Sequence, residues 1–305
     1  MSSFAPSRPI DLGTGAVAEL LDIHPSTVKR WFDRPGLSTT SGGHRRIPLD
    51  LVLDVARARG RRVHLHGFGT HAGQAWYAMQ ALEHGDPGPA CDVLVHWLRT
   101  RRSHLIGRFL WHVAGRGDAP DPGVLDGVFG GFMRRVGDGW ERGELRIADE
   151  RAASREVGEA TGRLLVAAAG KADDPDPDRP TAVVGTVEPE QHVLGSQLVR
   201  LLLFHRGWNV EHLGTGVPVP EIVATQRALD ASLVCVSFTP PAVAADVLRF
   251  IEATGGLADP QRPFSLVVGG GGVRGLDPSG LDEAFTELAA IGDLVALGDW
   301  LDEHG

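Results

Sequence analysis

The chain has 305 residues, 42% hydrophobic and 23% charged, a balance that fits two or three globular domains and excludes a disordered or fibrous protein. No apolar run approaches the roughly 18 residues that cross a bilayer, and Met1–Ile10 lacks the charged start and apolar centre of a secretory leader, so a cytoplasmic protein without membrane contact is expected. Cys91 and Cys235 are far apart and outside any CxxC, which argues against disulfides and cysteine-held metal. The net charge of −9 is unevenly spread: residues 1–66 carry 10 Lys/Arg against 6 Asp/Glu, a net of +4, and the remainder carries −13. A basic head on an acidic body suits nucleic-acid binding by the head alone.

Within the head, the pattern predicts a helix over Thr14–Leu21 with Val17, Leu20 and Leu21 on one face, then a turn at Asp22–His24. Pro25 opens a second helix that projects Ser26, Thr27, Lys29 and Arg30 while Val28 and Trp31 can face a core. The next segment, Leu37–Ile47, holds Ser41-Gly42-Gly43-His44-Arg45-Arg46, a Gly-Gly turn leading into a basic ribbon. A short helix after a tight turn, followed by a cationic β-wing, is a layout for reading a major groove with phosphate contacts alongside. This stretch resembles the MerR family and its excisionase-like relatives. The resemblance implies double-stranded DNA as partner, with Gly43, His44, Arg45 and Arg46 as wing contacts.

Residues 67–170 show helical periodicity, for example Ala153, Val157, Ala160 and Leu164, with turns at Gly85–Pro89 and Gly115–Pro122. Three or four helices in a bundle are expected, with Trp76, Trp97, Phe109 and Trp111 in its core. Trp140 closes a predicted helix Leu125–Gly139, and the next helix starts near Asp149-Glu150. Such a tryptophan is either structural or a lid over a planar ligand. The run Lys171–Pro180, rich in Asp and Pro, reads as an extended linker.

Beyond it, strands are predicted at Thr181–Thr186, Trp208–Leu213, Leu233–Ser237, Ser265–Gly269 and, more weakly, Ala289–Ile291. Helices are predicted at Val193–His205, Pro220–Leu229, Val243–Thr254 and Leu294–Glu303. The alternation makes a parallel doubly wound sheet, whose ligands sit beyond the carboxyl ends of the strands. The unusual residues gather at that edge: Glu190-Gln191-His192-Val193-Leu194-Gly195, then Ser237-Phe238-Thr239, then the glycines Gly269 to Gly272. Side-chain-free backbone lets a bulky ligand approach closely. The pattern is not GxGxxG, which disfavours a nicotinamide or flavin enzyme. His205 and His212 read as surface or helix-end histidines.

This edge resembles the cobalamin-binding fold, with its Asp/Glu-x-His-x-x-Gly motif, a later Ser and a Gly-Gly pair. The resemblance implies His192 as the lower axial ligand to cobalt, with Glu190 as its neighbouring carboxylate. It also implies a nucleotide tail passing Gly195, Ser237, Thr239, Gly269, Gly270 and Gly271; Thr239 stands where the family often has Leu.

Taken in order, the parts resemble the MerR-family cobalamin-dependent photoreceptor repressors of the CarH/LitR type. The implied architecture is mixed: a winged helix-turn-helix (1–66), a central four-helix bundle capping the upper face of the cobalamin (67–170), a linker (171–180) and a C-terminal α/β Rossmann-like, flavodoxin-like domain (181–305). The implied function is transcriptional repression, without enzymatic activity. Adenosylcobalamin, or another cobalamin form, would govern assembly into dimers or tetramers, and light would release the DNA. Trp140 and Glu150 match the family's cap over the adenosyl group. Two positions depart from it: Glu141 replaces the histidine after the tryptophan, and Glu150 is followed by Arg151 instead of histidine. Cobalamin sensing is therefore carried further by the resemblance than light sensing is. The alternatives are a light-independent or cofactor-free regulator and a corrinoid methyl-carrier.

Overall fold

The computed structural model describes residues 10–33, 37, 45–115, 119–169, 176–240 and 244–304. It divides into two compact units, residues 1–109 with 131–153, and residues 110–130 with 154–305.

The first unit opens with a two-residue antiparallel ladder between β1 (Asp11–Leu12) and β2 (Ile47–Pro48). Helix α1 (Thr14–Leu21) stops where Asp22 turns left-handed, and α2 (Pro25–Trp31) starts at the expected proline. His24 caps α2 by accepting from the Ser26 N–H through Nδ1, and Pro25 supplies a pre-set first position. Helix α3 (Leu49–Ala58) follows β2 directly. Val17, Leu21, Val28, Phe32, Ile47, Val52 and Ala56 bury one small core. Trp31 is only half-buried, with the Arg59 guanidinium 4.4 Å above its ring. Leu20 is likewise half-buried, and Ala18 takes its expected place inside.

A 3-10 turn, His64–His71, leads into α4 (Ala72–Glu83), α5 (Gly88–Arg99) and α6 (His104–Ala114). Phe68, Trp97 and Phe109 stack around one point, with Trp97 lying 5.8 and 6.0 Å from the other two ring centres. The Trp97 indole N–H finds a partner in Gln74 Oε1 at 2.6 Å, as a buried indole requires. Two expected core aromatics depart from prediction. Trp76 is half-buried, and Trp111 is 36% exposed, its ring lying against the Gly115 position at the end of α6. Beyond α6, a helical turn α7 (Pro122–Val124) runs into a π-helical turn at Leu125–Gly130, then α8 (Gly131–Glu141) and α9 (Ile147–Ala169). The predicted single helix over Leu125–Gly139 is thus interrupted at its start, and Trp140 and Glu141 lie inside the last turn of α8, not after it.

In the second unit a five-stranded parallel sheet has the order β4-β3-β5-β6-β7. Its elements are β3 (Thr181–Val187), α10 (Leu194–His205), β4 (Asn209–Val217), α11 (Val219–Leu229), β5 (Leu233–Ser237), α12 (Ala244–Leu257), β6 (Ser265–Gly269), β7 (Leu288–Ile291) and α13 (Leu294–His304). The chain runs outward from β3 to β4 and then back across to β5, so the crossovers switch faces at β3, as right-handed connections demand. Successive strand residues point to opposite faces. Val183, Val234, Val236, Leu266 and Val268 join Ile222 of α11 and Val247, Phe250 and Ile251 of α12 in one core. On the other face, α10 packs with α13.

Helix α13 begins just beyond β7, and its first N–H groups need acceptors. Asp126, from the π-helical turn, supplies them: its Oδ2 accepts from the Leu294 N–H at 2.7 Å and the Val295 N–H at 3.2 Å. Asp126→Ala is expected to cost about 1 kcal/mol of stability, whereas Asp126→Asn, which keeps an acceptor oxygen, loses only a fraction of that. Urea unfolding followed by tryptophan fluorescence measures the difference.

Candidate functional site

The carboxyl ends of β3, β5 and β6 hold the residues the sequence singles out. After β3 the chain turns back on itself: the Glu190 N–H donates to the Val187 carbonyl at 2.9 Å, and the Thr186 hydroxyl donates to the Glu190 carbonyl at 3.1 Å. This folds the Glu190 side chain inward to 10% exposure and leaves the His192 side chain 67% exposed. One carboxylate oxygen of Glu190 accepts from the His192 backbone N–H at 2.8 Å and meets His192 Nδ1 at 2.6 Å; the other accepts from the Thr239 N–H at 2.8 Å. Burial pushes the Glu190 carboxyl up, but the hydrogen bonds from His192 and Thr239 outweigh it and hold the group below the ordinary glutamate range.

An ionised Glu190 can only accept, so Nδ1 of His192 carries a proton and Nε2 is the ring nitrogen left for another partner. The result is an oriented imidazole on the rim of a parallel sheet with Nε2 turned away from the carboxylate, and a ring nitrogen is the donor type that suits a cobalt centre. Thr239 works through its backbone N–H, so its side-chain identity, Thr where the related fold often has Leu, is immaterial to this contact.

Ser237 lies on the α10 side of β5, between two glycines. A Cβ on Gly195 would come within 2.4 Å of Ser237 Oγ, and one on Gly270 within 3.3 Å. The absence of a Cβ at these positions lets the backbone pack directly on the buried Ser237, and the donor set around His192 fits a corrinoid. The glycine run also answers to the protein's own packing. Gly270 has φ +91°, and a Cβ there would meet the Phe238 carbonyl at 2.5 Å; one on Gly271 would meet Pro240 at 3.1 Å, and one on Gly269 the Ile291 carbonyl at 3.2 Å.

His212 also departs from its expected surface position. It is half-buried on β4, and its Nε2 lies 3.1 Å from Ser196 Oγ, whose own proton goes to the Val193 carbonyl. Burial, and then the nearby Arg200, lower its pKa, so it stays neutral. Beside His192, on the α11–α12 side, a cavity of about 600 Å³ is walled by Val187, Val219, Phe238 and Phe250. Glu190, His192 and Thr239 border it as well; its apolar walls, drawn from four separate segments, carry no sequence signal.

The other expected site residues belong to the first unit. Trp140 is 50% exposed at the end of α8, and Glu141 is exposed beside it. Glu150, 28% exposed in the first turns of α9, pairs with Arg151 at 3.5 Å. The corner between α8 and α9 is held by Arg99 on Glu144 and Arg101 on Asp149. On α2, Ser26, Lys29 and Arg30 are exposed and Thr27 is half-buried. Arg45 is committed to Asp33 at 2.7 Å and to the Phe32 carbonyl, while exposed Arg46 reaches the Asp11 carbonyl. Gly43 and His44 lie outside the described residues.

Residues 180–295 match the B12 binding domain family. Among solved structures, the chain is similar to the monomethylamine corrinoid protein of Methanosarcina barkeri, at 15% identity over 70% of this chain and 96% of that one, with a TM-score of 0.52. At that identity the likeness is one of fold. More distant in shape are a cobalamin-binding protein from Desulfitobacterium hafniense DCB-2 (19% identity, 70% of this chain and 97% of that one, TM-score 0.32) and the methanol:cobalamin methyltransferase complex MtaBC of Methanosarcina barkeri (16%, 73% and 82%, 0.35). No curated protein matches the chain. Among the described residues no helix is long and apolar enough to cross a membrane, and no group of three or more His, Cys, Asp or Glu could hold a metal ion by itself.

Glu190→Ala is expected to cost about 1–3 kcal/mol, the loss of charge-assisted bonds at a mostly buried carboxylate. Because the folded-state pKa is depressed, this contribution is complete at neutral pH and is lost as the pH falls through the lowered value. The stability gap between the parent chain and Glu190→Gln should accordingly shrink as the pH falls below the ordinary glutamate value of about 4.3, measured by urea unfolding at each pH. The match of residues 180–295 to the B12 binding domain, together with the rim built around His192, supports a cobalamin-type cofactor.

Proposed function

We propose that the chain is a cobalamin-binding transcription regulator, a repressor without enzymatic activity whose self-association and hold on DNA respond to adenosylcobalamin. The observation that carries the reading is the Glu190–His192 pair, 2.6 Å between Oε1 and Nδ1, which leaves Nε2 available at the sheet edge. His192 is the axial ligand, Glu190 keeps the proton on Nδ1, and Gly195, Ser237, Gly269, Gly270 and Gly271 line the path of the tail. Trp140 and Glu150 are the residues assigned to the upper face. When bound, the cofactor supplies a coordination position and a visible chromophore.

The DNA-reading half of the proposal is supported by the basic head and by α2, which follows a three-residue turn from α1 and exposes Ser26, Lys29 and Arg30. Dimers or tetramers would set several such heads on adjacent half-sites and so multiply weak contacts. Glu141 favours a response to the cofactor itself over a response to light, since a carboxylate is a poorer axial partner for a corrin cobalt than imidazole is. One specific observation favours a second reading, a corrinoid carrier: the fold likeness to 96% of the monomethylamine corrinoid protein. A carrier has no use for DNA, which separates the two.

His192→Ala is expected to weaken aquocobalamin binding on the order of tenfold or more and to shift the visible bands of what remains bound. An unaltered spectrum would remove the ligand assignment. In gel shifts with the DNA upstream of its own gene, Lys29→Ala and Arg30→Ala should weaken binding across sequences. Each lost phosphate contact should lower the salt slope by about 1. Absence of any shift at low salt, with cofactor bound, would favour the carrier. Size exclusion of the adenosylcobalamin-loaded protein in dark and in light reads the assembly, and equal masses would remove a photoswitch.

A further inference from the structure

We infer that the edge between α10 and β4 holds a separate anion site, in which the Arg200 guanidinium and the His212 imidazole take a phosphate that still carries a proton, either the free ion or a monoester. The inference goes beyond the cobalamin reading and does not depend on it.

Ser196, Arg200 and Phe204 stand four residues apart and so share one face of α10. The buried Ser196 joins this face to β4. Its hydroxyl donates to the Val193 carbonyl at 2.9 Å, so Oγ accepts from His212 Nε2 at 3.1 Å. That contact puts the imidazole proton on Nε2 and leaves the lone pair on Nδ1. β4 is the edge strand of the sheet, and both Arg200 and His212 are half-buried beside it.

Arg200 is unusual for an arginine of this chain. Arg99, Arg101 and Arg206 each pair with a carboxylate. Among the described residues no carboxylate pairs with Arg200; its guanidinium lies 5.1 Å over the Phe204 ring, and its Nε is buried without a partner. A cation partly withdrawn from water is costly unless an anion meets it. The nearest titratable group is basic too, for burial and then Arg200 itself hold His212 neutral.

A guanidinium beside a neutral ring nitrogen offers donors next to an acceptor. Sulfate, a carboxylate or a phosphodiester can only accept at neutral pH, and each would set an oxygen against the Nδ1 lone pair. A phosphate monoester, whose second pKa is about 6, brings both kinds of group. Its oxygens accept from the guanidinium fork, and its P–OH donates to Nδ1. The Phe204 ring holds the guanidinium in place from below.

The test is calorimetric titration of the full chain, without corrinoid, at near-neutral pH and matched ionic strength. Inorganic phosphate should bind saturably, and sulfate about tenfold more weakly. Methyl phosphate separates the sources: binding as tight as that of phosphate supports a monoester ligand, its exclusion supports the free ion, and dimethyl phosphate should bind weakly in both cases. Arg200→Gln should weaken phosphate about tenfold. Arg200→Lys, which keeps charge and stem, should retain the parent's melting temperature and still lose part of the affinity. His212→Phe should remove the preference for phosphate over sulfate. No saturable phosphate binding by the parent chain overturns the inference, and so does equal affinity for sulfate. Unchanged binding in Arg200→Gln also overturns it and would assign the anion to the basic head.

Discussion

The carboxylate of Glu190 is the constraint on which the candidate site depends. A carboxylate 10% exposed is costly unless donors meet it, and here they come from His192 twice and from Thr239 across the sheet edge. The same contacts that make the buried charge tolerable also tie the loop after β3 to the end of β5 and fix the tautomer of the imidazole. Structure and ligand chemistry are thus set by one group. Had the loop been held by apolar packing alone, nothing would decide which ring nitrogen faces outward.

The edge around this pair is asymmetric because a strand alternates its faces. Ser237 and Phe238 are neighbours in sequence, yet one is packed between two glycines and the other lines a cavity. The glycine run after β6 stands between these uses. Gly270, at φ +91°, lets the backbone lie against the Phe238 carbonyl, which anchors the end of β5 and so indirectly the Thr239 N–H that Glu190 needs. A side chain at Gly270 would push on the Phe238 carbonyl and so disturb the histidine loop.

Much of the C-terminal fold was legible because its signals are local. β5 and β6 are short apolar runs bounded by turn residues, and both ends of each fall where the pattern puts them. β4 runs to Val217 instead of Leu213, since Gly214-Thr215-Gly216 reads as a turn but continues pairing with β3 through register shifts. The break between α5 and α6 was not legible: it rests on Arg101 at φ +62°, a non-glycine residue that Asp149 holds in place from far along the chain. The π-helical turn at Leu125–Gly130 and the capping role of Asp126 are likewise set by contacts distant in sequence. At the site, Glu190, His192 and Gly195 could be picked out because their motif resembles that of the cobalamin-binding fold. The backbone role of Thr239, the burial of His212 and the walls of the cavity could not, because each depends on which strand lies next to which.

On the proposed reading a regulator must also keep its head from swinging freely on the helical region, and one side chain of the first unit bears on this. His66 accepts from the Val63 N–H through Nδ1 at 3.2 Å, so its proton sits on Nε2, which meets the Leu53 carbonyl of α3 at 3.1 Å. The imidazole uses both nitrogens in opposite senses, and only its neutral form can do so. It therefore joins the last helix of the head to the start of the helical region as a directional link, where a flexible connection would pass no change in the helices on to α2. The two bonds fix the start of the 3-10 turn against α3 by direction as well as by packing.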